Sequence, residues 1–177
     1  MEVTCFKKSE LTIEQSDAIA ELQHLCFHSK PEPPNPRKQD FEFTDEPVHF
    51  TIWNGSHLLA HAMTFLRIYN TVGGPLRIMA LRGVCVLPEK RGSGLGAEVV
   101  KSAFARIDGT LFCGSIFQTR APDFYQKLGA RLLTNRFVNS RWNGHTEENP
   151  WWNPYIMAWP ATMQVPDGTI DLNGPGY

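Results

Sequence analysis

The spacing of apolar positions changes along this chain, and the changes mark its elements. Residues 76–87 (LRIMALRGVCVL) are apolar and β-branched enough to predict a strand running into Pro88. Past a glycine-rich break, Leu95, Val99, Ala103 and Ile107 recur every four residues, with Val100 and Phe104 beside them, which predicts one apolar face of a helix. Residues 110–117 (TLFCGSIF) predict another buried strand. Upstream, residues 3–8 read as an opening strand, and residues 9–28 carry helical spacing through Ile13, Ile19, Leu22, Leu25 and Cys26. Residues 48–53 and 57–69 flank Asn54-Gly55, the preferred two-residue turn of a hairpin, and residues 71–75 turn into the strand at 76–87. Residues 132–139 and 154–159 predict two more short strands, and the segment between them, 141–153, is polar and turn-rich with three tryptophans. The run Pro31-Glu32-Pro33-Pro34-Asn35-Pro36 is incompatible with regular structure and predicts an exposed extended loop. The proline and glycine of residues 163–177 predict an ordered loop or a lid rather than a helix.

Composition narrows the class. A chain of 177 residues is expected to form one α/β domain with a sizeable core. A formal net charge of −1 gives no strong pull toward nucleic acid or membrane. There is no apolar run of about 18 residues, and the opening MEVTCFKKSE has no signal-peptide pattern, so a cytoplasmic protein is expected. Cys85 and Cys113 fall in apolar strands, Cys5 and Cys26 stand alone, and no paired spacing appears; reduced, buried thiols are the expectation. His24 and His28, four apart on a helix, lack a third ligand, and no metal site is predicted.

Between the strand at 76–87 and the helix after it stands Glu89-Lys90-Arg91-Gly92-Ser93-Gly94-Leu95-Gly96. The first N–H groups of a helix have no partner within it, and the helix dipole adds partial positive charge at that end. Glycines let an anion approach the backbone, and Lys90 and Arg91 add full charges, so the joint suits phosphate. The spacing is neither a nucleotide P-loop nor G-x-G-x-x-G. It matches Arg/Gln-x-x-Gly-x-Gly/Ala through Arg91, Gly92, Ser93, Gly94, Leu95 and Gly96. This loop resembles the pyrophosphate-binding loop of the GNAT superfamily of acetyl-CoA-dependent N-acetyltransferases. A second segment, Gln118 to Ala130, resembles the signature Asn-x-x-Ala-x-x-Phe-Tyr-x-x-Leu-Gly-Phe of the same superfamily, with Gln118 in the asparagine slot, Phe124-Tyr125 in register and Ala130 in the last aromatic slot. The resemblance covers residues 48–135 well and the ends less well.

The resemblance implies a single GNAT-type domain over residues 1–177, with a mixed central sheet splayed between its two middle strands and helices on both faces. It implies acetyl-CoA as co-substrate, with the amides of Arg91 to Gly96 on the pyrophosphate, the backbone of Val84, Cys85 and Val86 along the pantetheine arm, and Gln118 and Phe124 nearby. A strand N–H, at Val86 by this reading, would face the thioester oxygen. Tyr125 is the implied proton donor to the departing thiolate, a transfer uphill by about 2 kcal/mol for an unperturbed phenol, hence concerted or limited to a hydrogen bond; packing at a helix start is the alternative.

Within the superfamily the chain most resembles the aminoglycoside 2′-N-acetyltransferases. Those place a glutamate where this chain has Arg82, and a guanidinium is no base at neutral pH. His61, Asp45, Glu46, Asp171 and the Tyr177 carboxylate are the candidates left for a base, and Arg82 itself suits an acidic part of an acceptor. Trp142, Trp151, Trp152 and Trp159 are either core or an apolar acceptor site, and the proline-rich stretch either walls that site or merely connects. The expected reaction is direct acetyl transfer to a primary amine of a small molecule. Acetylation of a protein or peptide amine, and an acyl-CoA sensor without turnover, are the alternatives, and a homodimer is left open.

Overall fold

The structure, a computed structural model, describes residues 1–27, 43–142 and 145–177. His28 and the proline-rich stretch 31–36 lie outside the described residues. These residues fall into two compact units, one gathering 1–27, 45–65 and 81–106, the other 43–44, 66–80, 107–142 and 145–177.

In the first unit β1 (Val3–Lys7), β2 (Val48–Asn54) and the opening part of β3 (His57–Thr71) form an antiparallel meander, with Cys5 opposite Phe50 and Phe50 opposite Ala62. Asn54 pairs with His57, so the hairpin turns on Gly55 and Ser56, one residue later than the Asn-Gly reading. Gly55 supplies the positive φ, 60°, that the turn needs at its first position. Helix α1 (Ile13–Phe27) starts later than its apolar spacing suggests, because Thr12 and Gln15 form a reciprocal cap. The Gln15 N–H donates to Thr12 Oγ1 at 3.2 Å, and the Thr12 N–H donates to Gln15 Oε1 at 2.9 Å. Ile19 and Leu22 pack on Leu58 and Cys85, while Ile13 and Leu25, expected on the same face, are exposed. Helix α2 (Leu95–Phe104) buries Leu95, Val99, Val100, Ala103 and Phe104 and packs on β1 and β2. It ends at Phe104, which leaves Ile107 beyond the helix.

The second unit carries β4 (Gly74–Val86) through its residues up to Ala80, with β5 (Ser115–Thr119), β6 (Arg131–Leu132), β7 (Arg136–Trp142), β8 (His145–Glu148), β9 (Tyr155–Trp159), β10 (Thr169–Asp171) and helix α3 (Pro122–Gln126). Its strand order is β6-β9-β5-β4-β3-β10-β7-β8. The middle strands β4 and β5 run parallel and share only two pairs, Met79 with Ser115 and Ala80 with Ile116, the short ladder that a splay between them requires. On its other edge β5 pairs with β9 from Ser115 to Thr119. The architecture is the mixed α/β one expected, a central mixed sheet flanked by helices.

Further expectations differ from the structure. β5 begins at Ser115 rather than at residue 110, because the Asp108 carboxylate takes the Thr110 N–H at 2.9 Å and its hydroxyl at 2.7 Å, making a turn of that stretch. The polar segment after β7 contains β8, held by antiparallel backbone pairing with β7 rather than by apolar spacing, with an exposed Arg136–Glu148 ion pair across it. Residues 163–177 form no helix and are mostly loop, as expected, but they include β10, which inserts into the sheet, parallel to β7 with Ile170 opposite Phe137 and antiparallel to β3 with Asp171 opposite Asn70. All four cysteines are free, but Cys85 alone is buried; Cys5 and Cys113 are exposed. Among the described residues no helix is long and apolar enough to cross a membrane.

Because Ile170 is fully buried in an inserted strand, Ile170→Ala is expected to cost about 3 kcal/mol. Urea unfolding measures it, and a loss near zero would mean that β10 is not packed in solution.

Candidate active site

The loop after β4 is set by its glycines. A 3₁₀ turn, Pro88–Lys90, ends at Arg91; Gly92 and Gly94 then take φ values of 79° and 90°, and Gly94 stands as N-cap of α2. Only glycine adopts that pair of conformations without strain. The first N–H inside α2 to find a helical partner is that of Ala97, on Gly94 O at 2.9 Å, so the N–H groups of Leu95 and Gly96 have none within the helix. Ser93 Oγ donates to Lys90 O at 2.5 Å, closing the loop on itself. Lys90 and Arg91 are exposed. Arg91 also leans back on the strand: its Nε donates to Val86 O at 3.3 Å, and its Nη2 lies 3.6 Å from Cys26 Sγ, which itself donates to Val86 O at 3.4 Å.

Val84 and Val86 are half-buried, and Cys85 turns its side chain into the apolar cluster of Ile19, Leu22 and Leu58. Burial pushes the Cys85 thiol well above its ordinary pKa, with the neighbouring Cys26 adding to the shift.

In the second unit, α3 places Phe124 half-buried and Tyr125 buried, the latter against Phe117 at 4.6 Å between ring centroids and against Phe124 edge-on at 4.8 Å. Burial raises the Tyr125 phenol above its usual pKa. Gln118, on β5, has its side chain committed to the protein: Oε1 accepts the N–H groups of Trp152 at 3.0 Å and Asn153 at 2.8 Å, and Nε2 donates to the main-chain oxygen of Tyr177 at 2.5 Å. Trp151 is core, edge-on to Phe137 and Tyr177; Trp159 donates its Nε1–H to Leu128 O at 2.9 Å; Trp152 is 44% exposed.

Family comparison follows from this loop-and-helix geometry. The family model described as an acetyltransferase (GNAT) domain matches residues 8–133, a span that includes the loop, α2, β5 and α3. The chain belongs to that family. As a GNAT-type N-acetyltransferase its reaction class is transfer of an acetyl group from acetyl-CoA to an amine. Solved structures share the fold. ElaA from Escherichia coli is 19% identical over 89% of this chain and 97% of its own, with a TM-score of 0.61. An acyl-CoA N-acyltransferase from Pseudomonas aeruginosa is 16% identical over 89% and 97%, TM-score 0.60. A GNAT family acetyltransferase from Brucella melitensis, crystallised in complex with acetyl-CoA, is 12% identical over 96% and 95%, TM-score 0.60. No curated protein sequence matches the chain.

The groups considered as a base for this acetyltransferase are mostly engaged. Glu46 caps Ser9 N–H at 2.7 Å, which holds its carboxyl below the usual range. Burial raises Asp171, but hydrogen bonds from Ser140 and Asn173 outweigh it and leave the carboxyl low. The Tyr177 main chain serves Gln118. His61 is fully buried, with Nδ1 2.9 Å from Gly83 O and Nε2 3.0 Å from His49 Nδ1. A carbonyl only accepts, so His61 Nδ1 carries the proton and its Nε2 is left to accept the His49 Nδ1–H. Neither nitrogen of His61 has a lone pair to spare. Burial lowers its pKa to about 4, the Gly83 carbonyl opposing and His49 reinforcing the shift.

His49 was not a candidate in the sequence, although a signal existed: the hairpin register, with Thr51 opposite His61 and His49 opposite Met63, makes the two histidines diagonal neighbours on one face.

The folded pKa of His61 lies below an unfolded value of about 6.5, so the unfolded chain binds more protons between the two. The stability this ring confers is full above about pH 6.5 and is lost as pH falls toward 4, by about 3 kcal/mol. Urea midpoints across that window are expected to fall more steeply for the wild type than for His61→Leu, and parallel slopes would refute the assignment.

Proposed function

We propose that this N-acetyltransferase binds acetyl-CoA on the loop of residues 91–96 and passes the acetyl group directly to a primary amine of a small molecule. The observation that carries the reading is the left-handed glycine loop opening onto α2. At Gly92 and Gly94 an added Cβ meets nothing within 4 Å, so the backbone there stands clear for a bulky anion, and the helix end offers N–H groups and dipole to it. The acetyl-CoA in the Brucella structure supports the same co-substrate.

In this reading the amides of Arg91, Gly92, Ser93, Gly94, Leu95 and Gly96, with the charges of Lys90 and Arg91, hold the diphosphate. The backbone of Val84, Cys85 and Val86 runs along the amide-bearing pantetheine arm as a further strand would. The Val86 carbonyl is already shared by Arg91 and Cys26, so the arm draws on the remaining main-chain groups. Phe124 contributes apolar surface, and Gln118, with its side chain spoken for, contributes main chain. Tyr125 is the group that attends the departing sulfur. Its raised pKa makes full proton transfer harder than for an ordinary phenol, which favours hydrogen-bond donation to the developing thiolate. Direct attack by the amine is supported by Cys85, the cysteine on this strand: a thiol kept protonated in the core is a poor nucleophile.

For the acceptor, Arg82 is the informative residue. It is half-buried on β4, burial lowers its pKa, and it makes no hydrogen bond or ion pair among the described residues. Such a cation suits an acceptor that carries an acidic group as well as its amine, and it disfavours a polycationic aminoglycoside.

Two variants test the reading. Gly94→Ala puts a side chain where φ is 90° and is expected to cost about 1 kcal/mol in stability while weakening acetyl-CoA binding by calorimetry at least ten-fold; unchanged binding refutes the loop assignment. Tyr125→Phe is expected to lower kcat roughly ten- to a hundred-fold with little change in KM for acetyl-CoA. A wild-type kcat, measured by thiol release over a panel of small amines, would retire the tyrosine. Turnover of peptide amines with no turnover of small ones would replace the acceptor class.

A further inference from the structure

A trans peptide carries its C=O and N–H on opposite edges. Gly83 takes a φ of 65° in the middle of β4, a left-handed conformation inside a strand. Its carbonyl is collected by the Nδ1–H of His61 at 2.9 Å. The other edge of the same peptide, the Val84 N–H, is therefore turned away from the histidines. His61 is held in turn: it is fully buried, and its Nε2 accepts the Nδ1–H of His49 at 3.0 Å. Another residue at position 83 would be strained by that φ, and its Cβ, 2.8 Å from the Gln23 amide, would displace that side chain. The register beyond is fixed by the Leu87 N–H on Leu59 O at 2.8 Å.

We propose that His61, steadied by His49, is a positioning residue that holds the Gly83–Val84 peptide so that the Val84 N–H, rather than that of Val86 expected from the sequence, is presented to the thioester carbonyl of bound acetyl-CoA; this rests on the reaction proposed above. A donor helps a developing oxyanion in proportion to how firmly it is aimed beforehand. A water on the Gly83 carbonyl would satisfy that oxygen without fixing its direction. A buried imidazole does both, and a second imidazole keeps the first from turning. The pair has no free lone pair on His61 with which to shuttle protons, and His49 Nε2 is buried without a partner among the described residues, which suits a brace rather than a relay.

The test uses acetyl-CoA labelled with carbon-13 at the acetyl carbonyl, because a hydrogen bond to that oxygen moves the carbon resonance downfield. On the wild type the bound signal is expected downfield of free acetyl-CoA. His61→Leu is expected to lose most of that displacement while its affinity for coenzyme A, which lacks the carbonyl, changes by less than about three-fold. His61→Asn, whose amide N–H still reaches the Gly83 oxygen but offers His49 no Nε2, is expected to recover part of it. Should His61→Leu not fold, His49→Phe keeps His61 but removes its brace and is expected to lose part of the displacement. A wild-type displacement in a folded, coenzyme-bound His61→Leu, or in His49→Phe, overturns this proposal alone. A wild-type protein that fails to bind coenzyme A overturns the reaction reading, and this proposal with it.

Discussion

Backbone hydrogen-bonding groups on β4 have to be satisfied although its ladder with β5 covers only two residue pairs. That demand organises the rest. Buried peptide groups left unpaired cost free energy comparable to a lost hydrogen bond, so side chains supply the partners that the strand's ladders leave out. His61 takes the Gly83 carbonyl, and Arg91 with Cys26 takes that of Val86. Both devices fill acceptors. Filling acceptors with side-chain donors also fixes which way each peptide plane faces, so the orientation of the strand is decided before any ligand arrives.

The second unit solves a different problem, that of closing a sheet. β10 slots between β3 and β7, and the residues after it are pinned rather than left loose. The Tyr177 hydroxyl donates to Ile116 O at 2.6 Å and lies 2.6 Å from the Tyr69 hydroxyl, while the Gln118 side chain ties Tyr177 and the Trp152–Asn153 turn to β5. Gly176 is needed there because a Cβ would come within 2.5 Å of Pro150 O. A residue read in sequence as a coenzyme contact, Gln118, is thus a clamp by its side chain. The slot that the superfamily signature gives to a polar amide is used here to hold the chain's own backbone.

The parts legible in the sequence were those with a strong local cause. The glycine loop announced its left-handed turns, the four-residue spacing announced α2, and the hairpin at residues 48–69 followed from alternation and a turn signal, displaced by one residue because Gly55, not Asn54, holds the first turn position. The capping pair Thr12 and Gln15 is an equally local cause. Elsewhere the apolar run at residues 110–117 misled, since a turn built on one aspartate outcompetes strand propensity over its first part. β8 and β10 carry too few apolar residues to declare themselves; β8 is a polar strand turned back on β7, and the strands that flank β10 lie far away in sequence.

By itself, then, the order of residues determined the family, the glycine-rich joint and the helix behind it, because glycine conformations and helical spacing act within a few residues. Only the tertiary structure decided that two histidines twelve residues apart hold a peptide on a third strand, that Tyr125 is buried and harder to deprotonate, and that residues 169–171 form a strand. Each of those depends on desolvation and on partners from separate strands, and neither exists until the sheet is assembled.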